Sequence, residues 1–336
     1  VVESKTLSVS FCDKEREIAG DVWSQVNARA NEVSTGFSAI RIHAGSDAQT
    51  LASFTWERGG VKIAKVDAQA GASEQGDASL EGAEFAIVNA SGMNSYVNGH
   101  SYADGETVMT ISTSWDGSAY TAQTAADALP YGTYDVRETA TNGSYLLTDG
   151  EPRTFEVRTG GEIVSASADG AALEFRDQVV RNDLELSKKS ESDNAGLMVP
   201  FAIENAATGE THVLVTDRNG DASTASSWNK HSRDTNANDA LLGHEGPIAV
   251  ADMDPKAGIW FSLGEDGSSA PVDDSLAALP YGAYTMSELR CDANEGLELI
   301  TRSFWIDRDS TVAKAVWMGL DDQEGPRIST TAKDGA

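Results

Sequence analysis

Short runs in which apolar and polar residues alternate recur along this chain, and alternate side chains of a β-strand share one face. Val61 and Ile63 are in phase with Lys65, and Leu184 and Leu186 with Lys188. Tyr134 and Val136 are in phase with Glu138, as Tyr284 and Met286 are with Glu288. Leu173 and Phe175 lead to Asp177, while Val316, Met318 and Leu320 lead to Asp322. In each case an ionisable residue continues an apolar stripe. The pattern predicts one Lys, one Glu and one Asp directed into each of two cores. In the second set Asp321 stands next to Asp322, and only parity selects between them.

The two sets are tied together by an internal repeat, ALPYGTYDVRE at 128–138 and ALPYGAYTMSE at 278–288. Turn clusters such as DAQAGASEQGD (67–77) and SWDGS (114–118) separate the strands, the signature of an all-β sandwich. The second copy carries a longer excursion over about 223–277, rich in Asn, Asp, Ser and Gly. Residues 1–58 lack the repeat. They open with TLSVSF, continue through EREIAGDVWSQVNARANEV, whose apolar spacing predicts one amphipathic helix, and end in strand-like FSAIRIHA and LASFTWE. The predicted divisions are a partial or small α+β domain (1–58), two sandwiches (59–180 and 181–323), and a linker with the start of a following module (324–336).

Three ionisable groups in an apolar interior are costly unless they are paired or have reacted with one another. Burial favours the neutral forms; a neutral amine is a nucleophile, and a carboxylic acid beside a second, proton-shuttling carboxyl is an acceptor. The product would be an intramolecular Lys–Asp isopeptide bond, with Glu as proton relay and water as the leaving group. The competing reading is a set of surface salt bridges at strand ends. Parity does not decide between the two.

VKIAKVDAQAG, SLEGAEFAIVN (79–89), LPYGTYDVRETATNGSYLL (129–147) and LEFRDQ (173–178) together resemble the Cna B-type, or SpaA-type, prealbumin-like domain of Gram-positive pilins and adhesins. The resemblance recurs through LELSKKSES, VPFAIENAATGE (199–210), VTDRNGDAST (215–224), LPYGAYTMSELRCDANEGLEL (279–299) and GLDDQ. It implies tandem prealbumin-like (Ig-like, transthyretin-like) β-sandwiches. It further implies two autocatalytic triads: Lys65 and Asp177 bonded with Glu138 as relay, and Lys188 and Asp322 bonded with Glu288 as relay. The TTAKDG phrase near the C-terminus resembles the opening of repeat domains in such surface proteins.

Composition agrees with a surface module rather than an enzyme. Asp and Glu outnumber Lys and Arg by 53 to 25, and a net charge of −28 argues against nucleic acid and anionic membranes as partners. No apolar run is long enough to insert in a membrane, no signal peptide or wall-sorting motif is present, and the chain reads as a fragment of a longer precursor. His43, His100, His212, His231 and His244 lack metal-site spacing, and no cofactor or turnover catalysis is expected. DRNGD (217–221) is superficially similar to a calcium loop but fits an Asn-Gly turn better. Cys12 and Cys291 are expected to stay apart as two thiols.

The resulting expectation is a structural stalk or shaft segment of a cell-wall-anchored, extracellular adhesin or pilus-like protein of a Gram-positive bacterium. Its partners would be neighbouring modules of the same protein. The alternative is an adhesin head that binds host extracellular matrix or glycan through Trp228 and Trp260 of the excursion. Burial of both indoles in a satellite core is the favoured expectation.

Overall fold

A computed structural model describes residues 58–190 and 192–307 in full, together with the backbone of four N-terminal strands. Those four form an antiparallel sheet in the order Arg16–Ile18, Leu7–Asp13, Phe37–Ala44, Asp47–Ser53. The helix expected across EREIAGDVWSQVNARANEV is corrected at its start. Arg16–Ile18 is a strand, with Phe11 opposite Ile18 and Asp13 opposite Arg16. Pairing with a neighbouring strand there overrides a helical period, which is only a weak prior. The remainder of the expected helix, residues 19–33, lies outside the described residues, as does the C-terminal stretch that carries Asp321 and Asp322.

The fold is all-β. Among the described residues helical structure is confined to three 3-10 turns, Ala237–Leu241, Val250–Asp252 and Asp292–Asn294. Two compact units are present. The first draws on residues up to Lys65, Glu81–Ala140 and Asp149–Phe175; the second on Val66–Leu80, Thr141–Thr148 and residues from Arg176 onward.

In the first unit one sheet places Tyr120–Gln123 between Ser114–Trp115 and Arg58–Asp67, and Leu129–Pro130 also pairs with Arg58–Asp67. A second sheet runs Arg153–Val157, Gly132–Ala140, Glu84–Asn89, Thr107–Ser112. Inward residues of both sheets, Val61, Ile63, Phe85, Ile87, Tyr134, Val136, Phe155 and Phe175, are fully buried in a single core. Phe85 meets Phe175 edge-on at 4.9 Å, and Tyr134 stacks on Phe155 at 5.7 Å.

The second unit contains a sheet in the order Thr211–Val215, Pro200–Asn205, Gly282–Glu288, Thr301–Ile306. Glu185–Ser187 pairs with Asp221–Ser223, and Arg181–Asn182 with Leu279–Pro280. The excursion between Ser223 and Leu279 has no strand of its own. It sends Leu241, Ile248, Met253, Ile259 and Phe261 into the same core as Phe201, Ile203, Tyr284 and Met286. DRNGD forms a tight turn: Asp217 Oδ1 accepts the N–H groups of Asn219 and Asp221, and Gly220 takes φ +82°, a conformation that suits glycine.

The repeated LPYGxY phrase has a local cause. The Tyr134 hydroxyl donates to the Pro130 carbonyl at 3.0 Å, and the Tyr284 hydroxyl to the Pro280 carbonyl at 2.8 Å. Each bond spans four residues, and each ring then stacks on an aromatic of the adjoining strand, Phe155 or Phe304.

Candidate functional site

Lys65 and Glu138 reach the core of the first unit from different sheets, as strand parity requires. Lys65 stands opposite Tyr120 in its ladder, and Glu138 opposite Phe85. The Lys65 Nζ donates to Glu138 Oε2 at 2.7 Å, with side-chain exposures of 1% and 0%. A charged pair this deep is costly to desolvate and persists only with close geometry.

Asp177 is also inward and fully buried. Its Oδ1 accepts two hydrogen bonds from Thr148, one from the main-chain N–H at 2.8 Å and one from the hydroxyl at 3.1 Å. Arg58–Asp67 and Glu174–Val179 are neighbours in one sheet. Ala64 N–H donates to Leu173 O, and Ala68 N–H to Asp177 O. Both strands advance by the same step between these bonds, so they run parallel.

The second set repeats the first pairing. Lys188 Nζ donates to Glu288 Oε2 at 2.9 Å, and Glu288 stands opposite Phe201 in its ladder. Lys188 lies one residue beyond the strand Glu185–Ser187, and its side chain keeps 11% exposure. Glu288 is further held by Asn294, whose Nδ2 donates to Oε1 at 2.9 Å, and by the Ile300 N–H, which donates to Oε2 at 3.2 Å. The proposed acceptor Asp322 is outside the described residues.

A second buried polar group was not anticipated. Asp67 continues the Val61, Ile63, Lys65 stripe by one more step and is fully buried. Its carboxylate accepts from Gln69 N–H, Ala70 N–H, Gln75 Nε2 and the Tyr145 hydroxyl. Burial, then the Asp67 charge, push the Tyr145 phenol well up. The other end of Gln75 accepts from Arg181 Nη1; that guanidinium also donates to the carbonyls of Ala277, Phe261 and Ala278. Burial lowers Arg181 to about 10, against the opposing pull of nearby Tyr284 and Asp67. The Arg181 Cζ lies 3.8 Å over the Trp260 ring.

This geometry corrects the reading of the excursion as a tryptophan-lined surface. Trp260 is 2% exposed beneath Arg181 and offers no face to a ligand, because its indole fills the core and its Nε1 donates to Ala270 O. Trp228 contradicts the expected burial of both rings. It is 47% exposed, since it sits in a turn closed by its own N–H to Ala225 O, where no strand or helix period directs its side chain inward.

The histidines do not converge. His231 is buried against Trp260 with its ring nitrogens facing the Thr224 and Asp273 carbonyls. His212 lies between Asp239 Oδ2 at 2.7 Å and Glu210 Oε1 at 2.9 Å. Among the described residues no group of three or more His, Cys, Asp or Glu could hold a metal ion. No described helix is long and apolar enough to cross a membrane. Cys291 is a buried free thiol, and the Cys12 side chain lies outside the described residues.

Residues 59–171 match the family model of the SpaA prealbumin-like fold domain. No curated protein matches the chain. Among solved structures, the Bacillus anthracis TIE protein is similar at 19% identity, with TM-score 0.41, over 83% of this chain and 39% of its own length. A streptococcal ancillary pilin is similar at 16% identity, with TM-score 0.26, over 83% of this chain and 69% of its own. The C-terminal fragment of pilus adhesin SpaC from Lactobacillus rhamnosus GG is similar at 12% identity, with TM-score 0.38, over 83% and 94%. This chain thus spans well under half the length of the TIE protein.

Proposed function

We propose that this chain is a structural stalk or shaft segment of a Gram-positive, extracellular, cell-wall-anchored adhesin or pilus-like protein, built from two tandem prealbumin-like modules. Each module is locked by an autocatalytic bond, Lys65 to Asp177 with Glu138 as relay and Lys188 to Asp322 with Glu288 as relay. The observation that carries this reading is the paired Lys–Glu contact. Lys65 meets Glu138 of another strand inside an apolar core at 2.7 Å, and Lys188, one residue past its strand and 11% exposed, meets the buried Glu288 at 2.9 Å. The surface-salt-bridge alternative requires solvent that neither glutamate has, since both are buried. The SpaA family match over 59–171 supports the same reading for the first module.

The role is mechanical. A bond between the first and last strands of a module lets tension pass from one to the other without stretching the strands between. Closing a loop of about 100 residues removes about 4.7 kcal/mol of unfolded-state entropy in the cross-link model. That is comparable to the whole stability of a small domain.

Intact mass tests the proposal. Each condensation expels one water, so the protein should be lighter than its sequence mass by about 18 Da per bond and about 36 Da in all. A mass equal to that of the sequence sinks the proposal. A deficit of about 18 Da restricts the chemistry to one module. A binding role for the excursion now rests on the exposed ring of Trp228 alone, and replacing that residue in the parent protein without loss of adhesion would remove it.

A further inference from the structure

The two copies of the repeat keep the same kinds of inward side chain and differ in the outward ones. Tyr134, Val136 and Glu138 are buried in the first unit, as Tyr284, Met286 and Glu288 are in the second. The alternate positions face away from each core. In the first copy they are Thr133, Asp135 and Arg137, with Glu156 opposite Thr133 and Thr154 opposite Asp135 on the next strand. In the second they are Ala283, Thr285 and Ser287, with Trp305 opposite Ala283, Ser303 opposite Thr285 and Thr301 opposite Ser287. Where the first copy carries Asp135, Arg137 and Glu156, the second carries Thr285, Ser287 and Trp305.

In a chain with 53 acidic residues and a net charge of −28, two adjacent strands with no outward charge stand apart. Depletion of charge together with an exposed aromatic marks a contact surface. Trp305 is 61% exposed, because the residue across the ladder, Ala283, is too small to cover the ring. Beside it the hydroxyls form cross-strand pairs, Thr285 with Ser303 at 3.4 Å and Thr301 with Ser287 at 3.3 Å. A hydroxyl donates one hydrogen bond and accepts two, so pairing leaves capacity for a ligand. The neighbouring strand Pro200–Asn205 adds Ala202 opposite Ser287 and Glu204 opposite Thr285, the one carboxylate of this face. Arg302 stands opposite the buried Met286 and so belongs to the other face.

We propose that this outward face of the second unit binds a neutral glycan, a chain of β-1,4-linked pyranose rings lying along Thr301–Trp305, with one ring stacked on Trp305 and the next over the hydroxyl pairs. A pyranose has an apolar face of C–H groups and a rim of hydroxyls. The first matches an exposed indole, and the second matches the Ser and Thr side chains. Alternate residues of a strand stand about 7 Å apart in a nearly straight row. That row suits an extended β-1,4-linked chain, whereas an α-1,4-linked chain curls away from it. Charge sets the class of ligand. One carboxylate and no outward cation, on a chain of net charge −28, repel sialylated, sulfated or phosphate-bearing polymers and leave a neutral polyol unopposed. A protein docked here would need a cluster of apolar anchors, and the face offers one indole among hydroxyls.

Calorimetry on the full chain tests the proposal, with cellohexaose and chitohexaose as neutral β-1,4-linked probes, maltohexaose as the α-linked probe and a sialylated hexasaccharide as the anionic one. The wild type should bind at least one of the first two and neither of the others. Trp305→Ala should weaken that binding by about 30-fold, the loss typical of a hot-spot residue, and Trp305→Phe should fall between. Thr285→Asp with Ser287→Arg restores the outward charges of the first copy and should weaken binding while the indole stays. Trp115→Ala removes an indole that is 52% exposed in the first unit and should bind as the wild type does. The substituted side chains point away from the core, so every variant should melt with the wild type. Failure of the wild type to bind either β-linked probe overturns the inference. So do unchanged affinity in Trp305→Ala or in the double variant, an equal loss in Trp115→Ala, and equal binding of the α-linked or sialylated probe. None of these outcomes touches the mass deficit, so the stalk reading is decided separately.

Discussion

Lys65 and Glu138 meet at 2.7 Å with almost no water around either side chain, and each arrives by continuing an apolar stripe of its own strand. Such a pair is poor evidence for stability as such, since a hydrophobic replacement of both partners often does as well. What it does dictate is that neither partner tolerates the loss of the other.

Glu138→Ala should therefore have two separable effects. Lys65 loses the carboxylate it meets at 2.7 Å in a buried site, which is destabilising. The melting temperature should fall and proteases should find the first module. Under the cross-link proposal the mass deficit of that module should also vanish, because nucleophile and acceptor remain while the proton relay is gone. Lys65→Met with Glu138→Leu should recover folding without recovering the bond. Retention of the full deficit in Glu138→Ala would show that the glutamate is not the relay.

Arg181 supports a second prediction, one about the interior of the second unit. Its guanidinium serves three main-chain carbonyls and the Gln75 amide while lying flat on Trp260. Arg181→Met preserves most of the volume but strands three acceptors, since the Ala278 carbonyl keeps the Phe261 N–H, each costing about 1–3 kcal/mol when buried and unmade. Arg181→Lys keeps the charge but has only three donors and no planar face, so it should fall between. Thermal unfolding, with Trp260 emission as a local probe, reads both. An Arg181→Met protein that melts with the wild type would refute the account.

The inward lysines, the two glutamates and Asp177 were legible from alternation alone, because a strand two residues out of phase is still in phase. Asp67 was legible by the same rule and missed only because the stripe was followed no further than Lys65. Arg181 was not. Its acceptors lie at Gln75, Phe261, Ala277 and Ala278, and no local period links residues that the chain brings together from such distances. Thr148 and Asn294 escaped for a related reason: each acts through a hydrogen bond to a side chain far along or around a turn, and in sequence both look like ordinary loop residues. Trp228 shows the limit from the other side. Large aromatics in a long insertion invite a core, and Trp260 obeys, but the turn at Ala225 leaves Trp228 half in solvent.

His212 gives the pH dependence of the second unit. Burial pulls its pKa down, but the hydrogen bonds its ring N–H groups donate to Asp239 and Glu210 outweigh this, and the net result is a rise from 6.5 to about 9. Glu210 also accepts from the N–H groups of Ser262 and Leu263, and Asp239 from the N–H of Val213, so the ring ties strand Thr211–Val215 to the excursion. A pKa raised on folding means that the folded protein holds a proton the unfolded chain has released. The stabilisation is thus complete below about pH 6.5, declines between about 6.5 and 9, and is gone above. Its size is on the order of 3 kcal/mol, which should lower the melting temperature by several degrees across that window. Cys291 and Tyr284, both raised by burial from 9.0 and 10.0, add a loss of the same sign only at higher pH. His212→Gln should be less stable than wild type near pH 6 and should flatten the decline up to pH 9. A wild-type melting temperature that stays level or rises between about pH 6.5 and pH 9 would show that the ring is held as a neutral hydrogen-bonding group and not as a cation between two carboxylates.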